Sequence, residues 1–296
     1  MANVVAKERI GLIAGWGRFP VLVAEALRRN GHEVYCLGIR NHADPILNDI
    51  CNDFRQVGLA RVGAQIRYFR RHGIRYATMA GKIFKHLLLF HKFGWLGLLP
   101  DWRGIRAGWS SFVANTKDRN DDTVLTAFVR AYADDNIQFL PATDFAPELL
   151  VNFDQITHQR VSRSEKQDVE FGWQVAKEMG RLDIGQTVVV RDRITVAVEA
   201  VEGTDECIRR AGQVCPKGGF TVVKVAKPQQ DMRFDVPTIG VGTLETIADA
   251  GGRILAIEAG KTIILDEAEV IAFAKRHKLT IVAVRNGQLA PACEAA

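Results

Sequence analysis

The sequence has no run of 18 or more uncharged apolar residues, so a membrane-spanning helix is not expected. Cysteine is sparse. Cys36, Cys51, Cys207, Cys215 and Cys293 are scattered, odd in number and never in CxxC spacing. That argues against a disulfide framework or a thiolate zinc site, and for free thiols in a reducing cytosol. The seven histidines form no ligand pattern, and His86 and His91 lie five apart, off a common helical face. A Walker A lysine, a GxSxG elbow, an HExxH pair and the kinase signatures are all missing, which removes those hydrolase and transferase classes. The N-terminus, MANVVAKERIGLIAG, lacks the long apolar core of a secretory signal. The sharpest local absence is of negative charge. Between Asp53 and Asp101 there is no acidic residue, whereas nine basic ones occur, from Arg55 to Lys92.

What is present suits two ordinary α/β domains. The chain has 296 residues, 47% hydrophobic and 25% charged, a composition that excludes disorder and fibrous repeats. Its net charge of +5 divides unevenly: residues 1–145 hold 20 basic and 13 acidic groups, residues 146–296 hold 19 and 21. A long one-sign stretch points to an anionic partner, which is a phosphorylated ligand, a membrane surface or nucleic acid. Nucleic acid is disfavoured, because residues 55–106 are apolar where they are not basic and no recognition module is present.

Hydrophobic periodicity predicts strands at Ile10–Ala14, Glu33–Leu37, Tyr76–Ala80 and Gln138–Leu140. Helices are expected at Val21–Asn30, at residues 57–72 and at Asp121–Asp135. Strand, helix and strand with short connections imply a Rossmann-like parallel sheet over residues 1–140. Pro141 and Pro147 mark a linker over 141–150. The second domain, 151–296, reads as α/β with a mixed sheet. It has a helix around Asp168–Glu178, a hairpin from Thr187 to Ala200 turning at Arg191–Arg193, and a helix near Thr204–Arg210. Further strands are expected at Thr221–Val225, Ile254–Ile257, Thr262–Leu265 and Thr280–Val284, and a helix at Asp266–Lys278. The tail after Asn286 is expected to be loose.

Five segments stand out. Gly15, Gly17, Arg18, Phe19 and Pro20 lie between a strand and a helix, where glycines allow close backbone approach and a helix N-terminus attracts phosphate. A plain tight turn fits the same residues, and NAD is a poor match because no acid closes the second strand, Leu37-Gly-Ile-Arg40. Asp121 and Asp122 open a helix, as caps or as ligands to a metal or ribose. The turn from Glu199 to Asp205, with Glu202, Gly203 and Thr204, suits either helix capping or a hard cation and ligand hydroxyls. The loop from Lys224 to Gly240 is the most informative. It carries Lys224, Lys227, Gln230, Asp231, Arg233 and Asp235 between Pro228 and Pro237. Carboxylates suit Mg²⁺ and the cations suit phosphate oxygens, so the loop has the parts for metal-assisted attack on phosphorus. A surface ion-pair network is the alternative. Residues 82–109, beginning at Lys82, mix apolar, aromatic and basic side chains, as a lipid-facing surface or as a buried segment with a basic edge.

GLIAGWGRFP (11–20), AGKI (80–83), NDDTVL (120–125), DIGQTVVV (183–190), AVEAVEGTDE (197–206) and VKVAKPQQDMRFDVPTIG (223–240) together resemble the two-domain UDP-2,3-diacylglucosamine diphosphatase family of lipid A biosynthesis. The paired-metal GDxxD and GNHD motifs of the other, isofunctional family are absent. The resemblance implies hydrolysis of UDP-2,3-diacylglucosamine to 2,3-diacylglucosamine 1-phosphate and UMP, with Mg²⁺ or Mn²⁺ as cofactor. It implies an essential aspartate at Asp231, with Asp235 second, both as metal ligands. Lys224, Lys227 and Arg233 are expected to bind the pyrophosphate. Gly15 to Pro20, Lys82, Asp121, Asp122, Glu202 to Asp205 and Gln230 are expected to line the substrate. A lipid-linked UDP-sugar implies a cytoplasmic protein, peripheral at the inner face of the inner membrane, and a homodimer is possible. The rival class is a nucleotide-sugar or lipid binding module without chemistry.

Overall fold

The structure, a computed structural model, describes residues 7–82, 128–153, 156–157, 160–233 and 236–290. It divides into two compact units: Met1–Pro147 with Asp231–Phe234, and Glu148–Gln230 with Asp235–Ala296.

The first unit is built on five parallel strands: β1 (Arg9–Ala14), β2 (Glu33–Ile39), β3 (Asp53–Val57), β4 (Tyr76–Ala80) and β5 (Gln138–Phe139). Their order is β3-β2-β1-β4-β5, the Rossmann-like arrangement expected from the sequence. The chain moves outward from β1 to β3, then crosses back to β4 on the other side of β1. The carboxyl ends of β1 and β4 therefore flank the point where the winding reverses, which is where open α/β sheets place ligands. Helix α1 (Phe19–Arg29) starts with Pro20 in its first turn and ends with Arg28 and Arg29, both favourable to the backbone dipole. Helix α2 (Val62–Arg71) buries Val62, Ile66 and Phe69 against Leu37, Ile39 and Val57. Residues 128–133 are helical, and Tyr132 among them packs edge to face with Phe139.

One strand was not expected. Residues 53–57 form the edge strand β3, and the helix assigned from residue 57 begins at Val62. An edge strand pairs on one side only, so Arg55 and Gln56 remain exposed and the apolar alternation of a strand is missing. The segment Pro141–Pro147 contains the short helix Ala142–Phe145, with Phe145 buried.

The second unit holds the expected mixed sheet. Its strands are β6 (Thr187–Arg191), β7 (Ile194–Val198), β8 (Thr221–Lys224), β10 (Ile254–Glu258), β12 (Thr280–Arg285) and β13 (Gln288–Leu289), in the order β13-β12-β10-β8-β6-β7. The β8, β10 and β12 pairings are parallel and the outer ones antiparallel. Because side chains alternate along a strand, each one feeds two cores. Val188, Val190 and Val223 pack under helix α3 (Arg163–Arg181) with Val169 and Ala176. Val189, Val222 and Ile257 face α4 (Thr204–Val214), α5 (Val241–Asp249) and α6 (Glu267–Arg276), through Ile208, Leu244 and Val270. Ser162 and Glu165 close a capping box at the start of α3, with Glu165 N–H donating to Ser162 Oγ at 3.3 Å and Ser162 N–H to Glu165 Oε2 at 2.7 Å. Buried Asp168 accepts the N–H groups of Asp192 and Arg193, at 3.1 and 2.6 Å, and so holds the β6–β7 turn in its left-handed conformation.

The tail after Asn286 is more ordered than expected. Residues 288–289 pair with β12, and Leu289 and Ala290 are buried. A two-stranded parallel sheet, β9 (Thr238–Ile239) with β11 (Ile263–Ile264), follows the candidate loop.

Candidate active site

In the first unit the β1–α1 turn and the end of β4 form one feature. Gly15 N–H donates to the Ala80 carbonyl at 2.8 Å, Trp16 N–H to Lys82 O at 2.8 Å, and Lys82 N–H to Trp16 O at 2.9 Å. A Cβ on Gly15 would stand 2.7 Å from Lys82 O. Gly81, at φ +95°, would push one to 2.7 Å from Pro20 Cγ and 2.9 Å from Gly15 C. The GRFP and AGKI motifs, some 60 residues apart in sequence, are thus locked backbone to backbone at the switch point of the sheet. The first turn of α1, with Phe19 and Pro20, carries no acidic residue, and Arg18 lies 3.6 Å from Glu25. The positive end of the α1 dipole is thus left without an acidic side chain in its first turn. Gly81→Ala is expected to cost about 1–2 kcal/mol from the left-handed conformation alone, with more from the contact with Pro20. Denaturant unfolding measures it, and an unchanged midpoint would contradict the locked turn.

Asp231 and Arg233 form a closed pair. Arg233 Nε lies 2.9 and 3.1 Å from the two carboxylate oxygens, Nη2 lies 2.5 Å from Oδ2, and the Arg233 backbone N–H donates to Oδ1 at 3.0 Å. The Arg233 hydrogen bond holds the Asp231 carboxyl below the usual aspartate range, against a smaller opposing effect of burial. Asp231 is therefore a fixed, ionised carboxylate, partly open to solvent. Asp235, Asp121 and Asp122 lie outside the described residues.

In the second unit the loop leaves β8 through Lys224, whose buried ammonium donates to the Thr238 carbonyl at 3.0 Å. Lys224 thus ties β8 to β9. Lys227 reaches Asp183 at 2.6 Å, and its N–H donates to Gln230 Oε1 at 2.8 Å while Gln230 N–H returns to Lys227 O at 3.1 Å. This reciprocal turn fixes the Gln230 amide. Its Nε2 is buried with no acceptor among the described residues, a donor left over for a ligand. Beneath the turn, Gly180 of α3 brings its helix to within 3.1 Å of Lys227 Cα for any added Cβ.

The Glu199–Asp205 turn is mostly self-satisfied. Gly203, at φ +84°, occupies the cap position of α4. The Thr204 hydroxyl instead donates to Glu199 Oε1 at 3.1 Å and lies 3.3 Å from Thr187 Oγ1. Glu202 accepts the Ala200 N–H at 3.2 Å and pairs with Arg210 at 2.5 Å; its own backbone N–H first, and then the Arg210 hydrogen bond, hold its carboxyl below the usual range. Among the described residues no group of three or more His, Cys, Asp or Glu is placed to hold a metal ion.

Family models for the LpxI N-terminal domain and the LpxI C-terminal domain match residues 9–149 and 153–282. A curated relative, the UDP-2,3-diacylglucosamine pyrophosphatase LpxI of Caulobacter vibrioides, is 30% identical over 284 residues, covering 94% of this chain and 98% of the relative.

The chain belongs to the LpxI family.

The LpxI N-terminal match contains the Gly15 turn and Lys82, and the LpxI C-terminal match contains the loop from Lys224 to Asp235. Two residues at the root of that loop escaped sequence reading. Lys177 Nζ lies 2.6 Å from Glu258 Oε2 and donates to the Ala226 carbonyl at 2.9 Å, while Ala226 N–H donates to the same Glu258 oxygen at 2.8 Å. Burial pulls the Lys177 ammonium below the usual lysine range, and the Glu258 hydrogen bond opposes it. The one available signal was a glutamate closing an otherwise apolar strand, Ile254–Glu258, at its carboxyl end.

Proposed function

We propose that the chain hydrolyses UDP-2,3-diacylglucosamine to 2,3-diacylglucosamine 1-phosphate and UMP, as a step of lipid A biosynthesis. The observation that carries this reading is the near-complete alignment with a relative of that activity, together with an ionised Asp231 held by Arg233. Water attacks phosphorus, one phosphorus–oxygen bond of the diphosphate breaks, and one proton is released. Asp231 holds charge and orientation at that centre, and Arg233 offers its guanidinium to a phosphate oxygen. The spare Gln230 amide donates to the ligand. After the Gly15 turn, the positive end of the α1 backbone dipole faces part of the diphosphate. Glu202, Gly203, Thr204 and Asp205 act as sugar contacts.

A divalent cation, Mg²⁺ or Mn²⁺, belongs to the same proposal. Mg²⁺ takes one or two carboxylates and fills its remaining positions with water and phosphate oxygens. Asp231 fits one such position because it stays ionised, and Arg233 already engages both its oxygens, so an ion there shares the carboxylate with the guanidinium. When bound, the cation supplies neutralisation of phosphate charge and a more acidic water. The protein is proposed to act peripherally at the cytoplasmic membrane face. Among the described residues no helix is long and apolar enough to cross a membrane.

Turnover of the lipid-linked substrate in detergent, with products identified, tests the reaction. UMP is expected with Mg²⁺, lost on EDTA treatment and restored by added Mg²⁺. Absence of UMP overturns the proposed reaction, and UMP formation unchanged by EDTA removes the cation from it.

A further inference from the structure

An open hollow of about 290 Å³ lies between β2, the edge strand β3 and helix α2. Five arginines line it: Arg40, just after β2; Arg55, within β3; Arg61, just before α2; and Arg67 and Arg71, one turn apart on α2. All five are exposed. Arg55 is neutralised in part by Asp53 at 3.3 Å, and its guanidinium lies 5.3 Å from the centre of the Tyr68 ring. Among the described residues, Arg40, Arg61, Arg67 and Arg71 have no carboxylate partner within ion-pair distance.

Like charges gathered around one hollow repel each other, and an anionic partner relieves that repulsion. The form of the hollow decides what kind of partner fits. Its arginines are all solvent-facing, and among the described residues no buried unpaired polar atom belongs to its lining. A tight pocket for one small anion wants buried, convergent donors. A spread of mobile guanidiniums suits many phosphodiesters presented on a plane, each able to accept a forked pair of hydrogen bonds. We propose that this hollow and the arginine face of α2 form the docking surface for an anionic phospholipid membrane. The inference rests on the peripheral membrane location proposed above and names the surface that achieves it. It does not involve Asp231 or the loop that carries it.

The test is cosedimentation of the full chain with phosphatidylcholine vesicles, with and without phosphatidylglycerol, followed separately from turnover. The chain is expected to bind phosphatidylglycerol vesicles and to release at high salt. Combined replacement Arg40→Ala, Arg61→Ala, Arg67→Ala and Arg71→Ala is expected to weaken partition by roughly fivefold per arginine, on the order of several hundredfold in all. UMP release from detergent-dispersed substrate is expected to stay within about twofold, because removing charges from a docking surface leaves the reacting centre unchanged. A control, Lys275→Ala with Arg276→Ala at the end of α6, is expected to lose far less binding per charge. The proposal is overturned if the fourfold variant binds vesicles as the parent does, or if the control loses as much per charge. It is also overturned if inorganic phosphate displaces the vesicles as a saturating competitor at constant ionic strength, or if duplex DNA binds at physiological salt with the same arginine dependence. Loss of micellar turnover in the fourfold variant would assign the hollow to the substrate site instead. Vesicle binding needs no hydrolysis, so failure to release UMP leaves this result readable on its own.

Discussion

Asp231→Asn is expected to lower the turnover number by about 10³-fold, the order seen when one preorganised charged or hydrogen-bonding group is removed from a reacting centre. Folding and substrate affinity are expected to survive. Asparagine keeps the shape of the side chain, and its carbonyl oxygen still accepts the Arg233 N–H that aspartate accepts at 3.0 Å. It gives up the negative charge, and with it the proposed cation ligand and the paired grip on Arg233. The carboxyl has a second signature. Arg233 holds it below the usual range, so it remains ionised as pH falls through the ordinary aspartate range. The stabilisation from that pair is present above the unfolded-state pKa and lost only as pH drops through the lower folded-state value. Arg233→Ala is therefore expected to move the acid limb of activity upward in pH. Turnover of the Asn variant at the parental rate would remove Asp231 from the mechanism.

How much of this was legible depends on whether the deciding contact is local in sequence. Strand β4 runs from Tyr76 to Ala80 as its pattern predicts, and α1 stops before Gly31, because buried strands and capped helices carry their instructions in a few adjacent residues. Strand β3 does not. Its pairing is one-sided, and Arg55 and Gln56 face water, so its sequence looks like a polar lead into the helix. Helix α5 was missed for a related reason: its cap position is Gly240 and no side chain caps it. The candidate site divides in the same way. Asp231 and Arg233 are two residues apart, and their pairing follows from short-range geometry. Lys224 was read as a phosphate ligand from its neighbours, yet its ammonium lies against the Thr238 carbonyl, 14 residues on, which only the β8–β9 arrangement reveals. The meeting of Gly15 with Gly81 is likewise a consequence of sheet order: two glycine turns at the carboxyl ends of adjacent parallel strands must face each other.

The largest effect on stability is expected at a residue that lies in none of the segments singled out in the sequence. Glu258 is buried, and its Oε2 accepts from both Lys177 Nζ and the Ala226 N–H while Oε1 lies 3.3 Å from Lys261. Lys177 in turn binds the Ala226 carbonyl. Both backbone polar groups of Ala226 are thus satisfied by one ion pair, two residues before Pro228 turns the chain into the loop that leads to Asp231. Glu258→Ala would leave a half-buried ammonium without its counter-charge and a buried N–H without an acceptor. The expected loss is about 3 kcal/mol, the low end for breaking a buried ion pair, because Lys177 keeps some solvent. Glu258→Gln is expected to cost less, since its amide oxygen still accepts the Ala226 N–H. Lys177→Met combined with Glu258→Gln is expected to recover part of the single-variant loss, because no unpaired charge remains. Denaturant unfolding of the parent, Lys177→Met, Glu258→Gln and their double variant gives the coupling directly. If the Glu258→Ala protein unfolds within about 0.5 kcal/mol of the parent, the size of an ordinary surface substitution, the pair does not anchor the loop. If it is destabilised as expected, its turnover should fall as well, because Ala226 sets the point from which the Lys227–Gln230 turn departs.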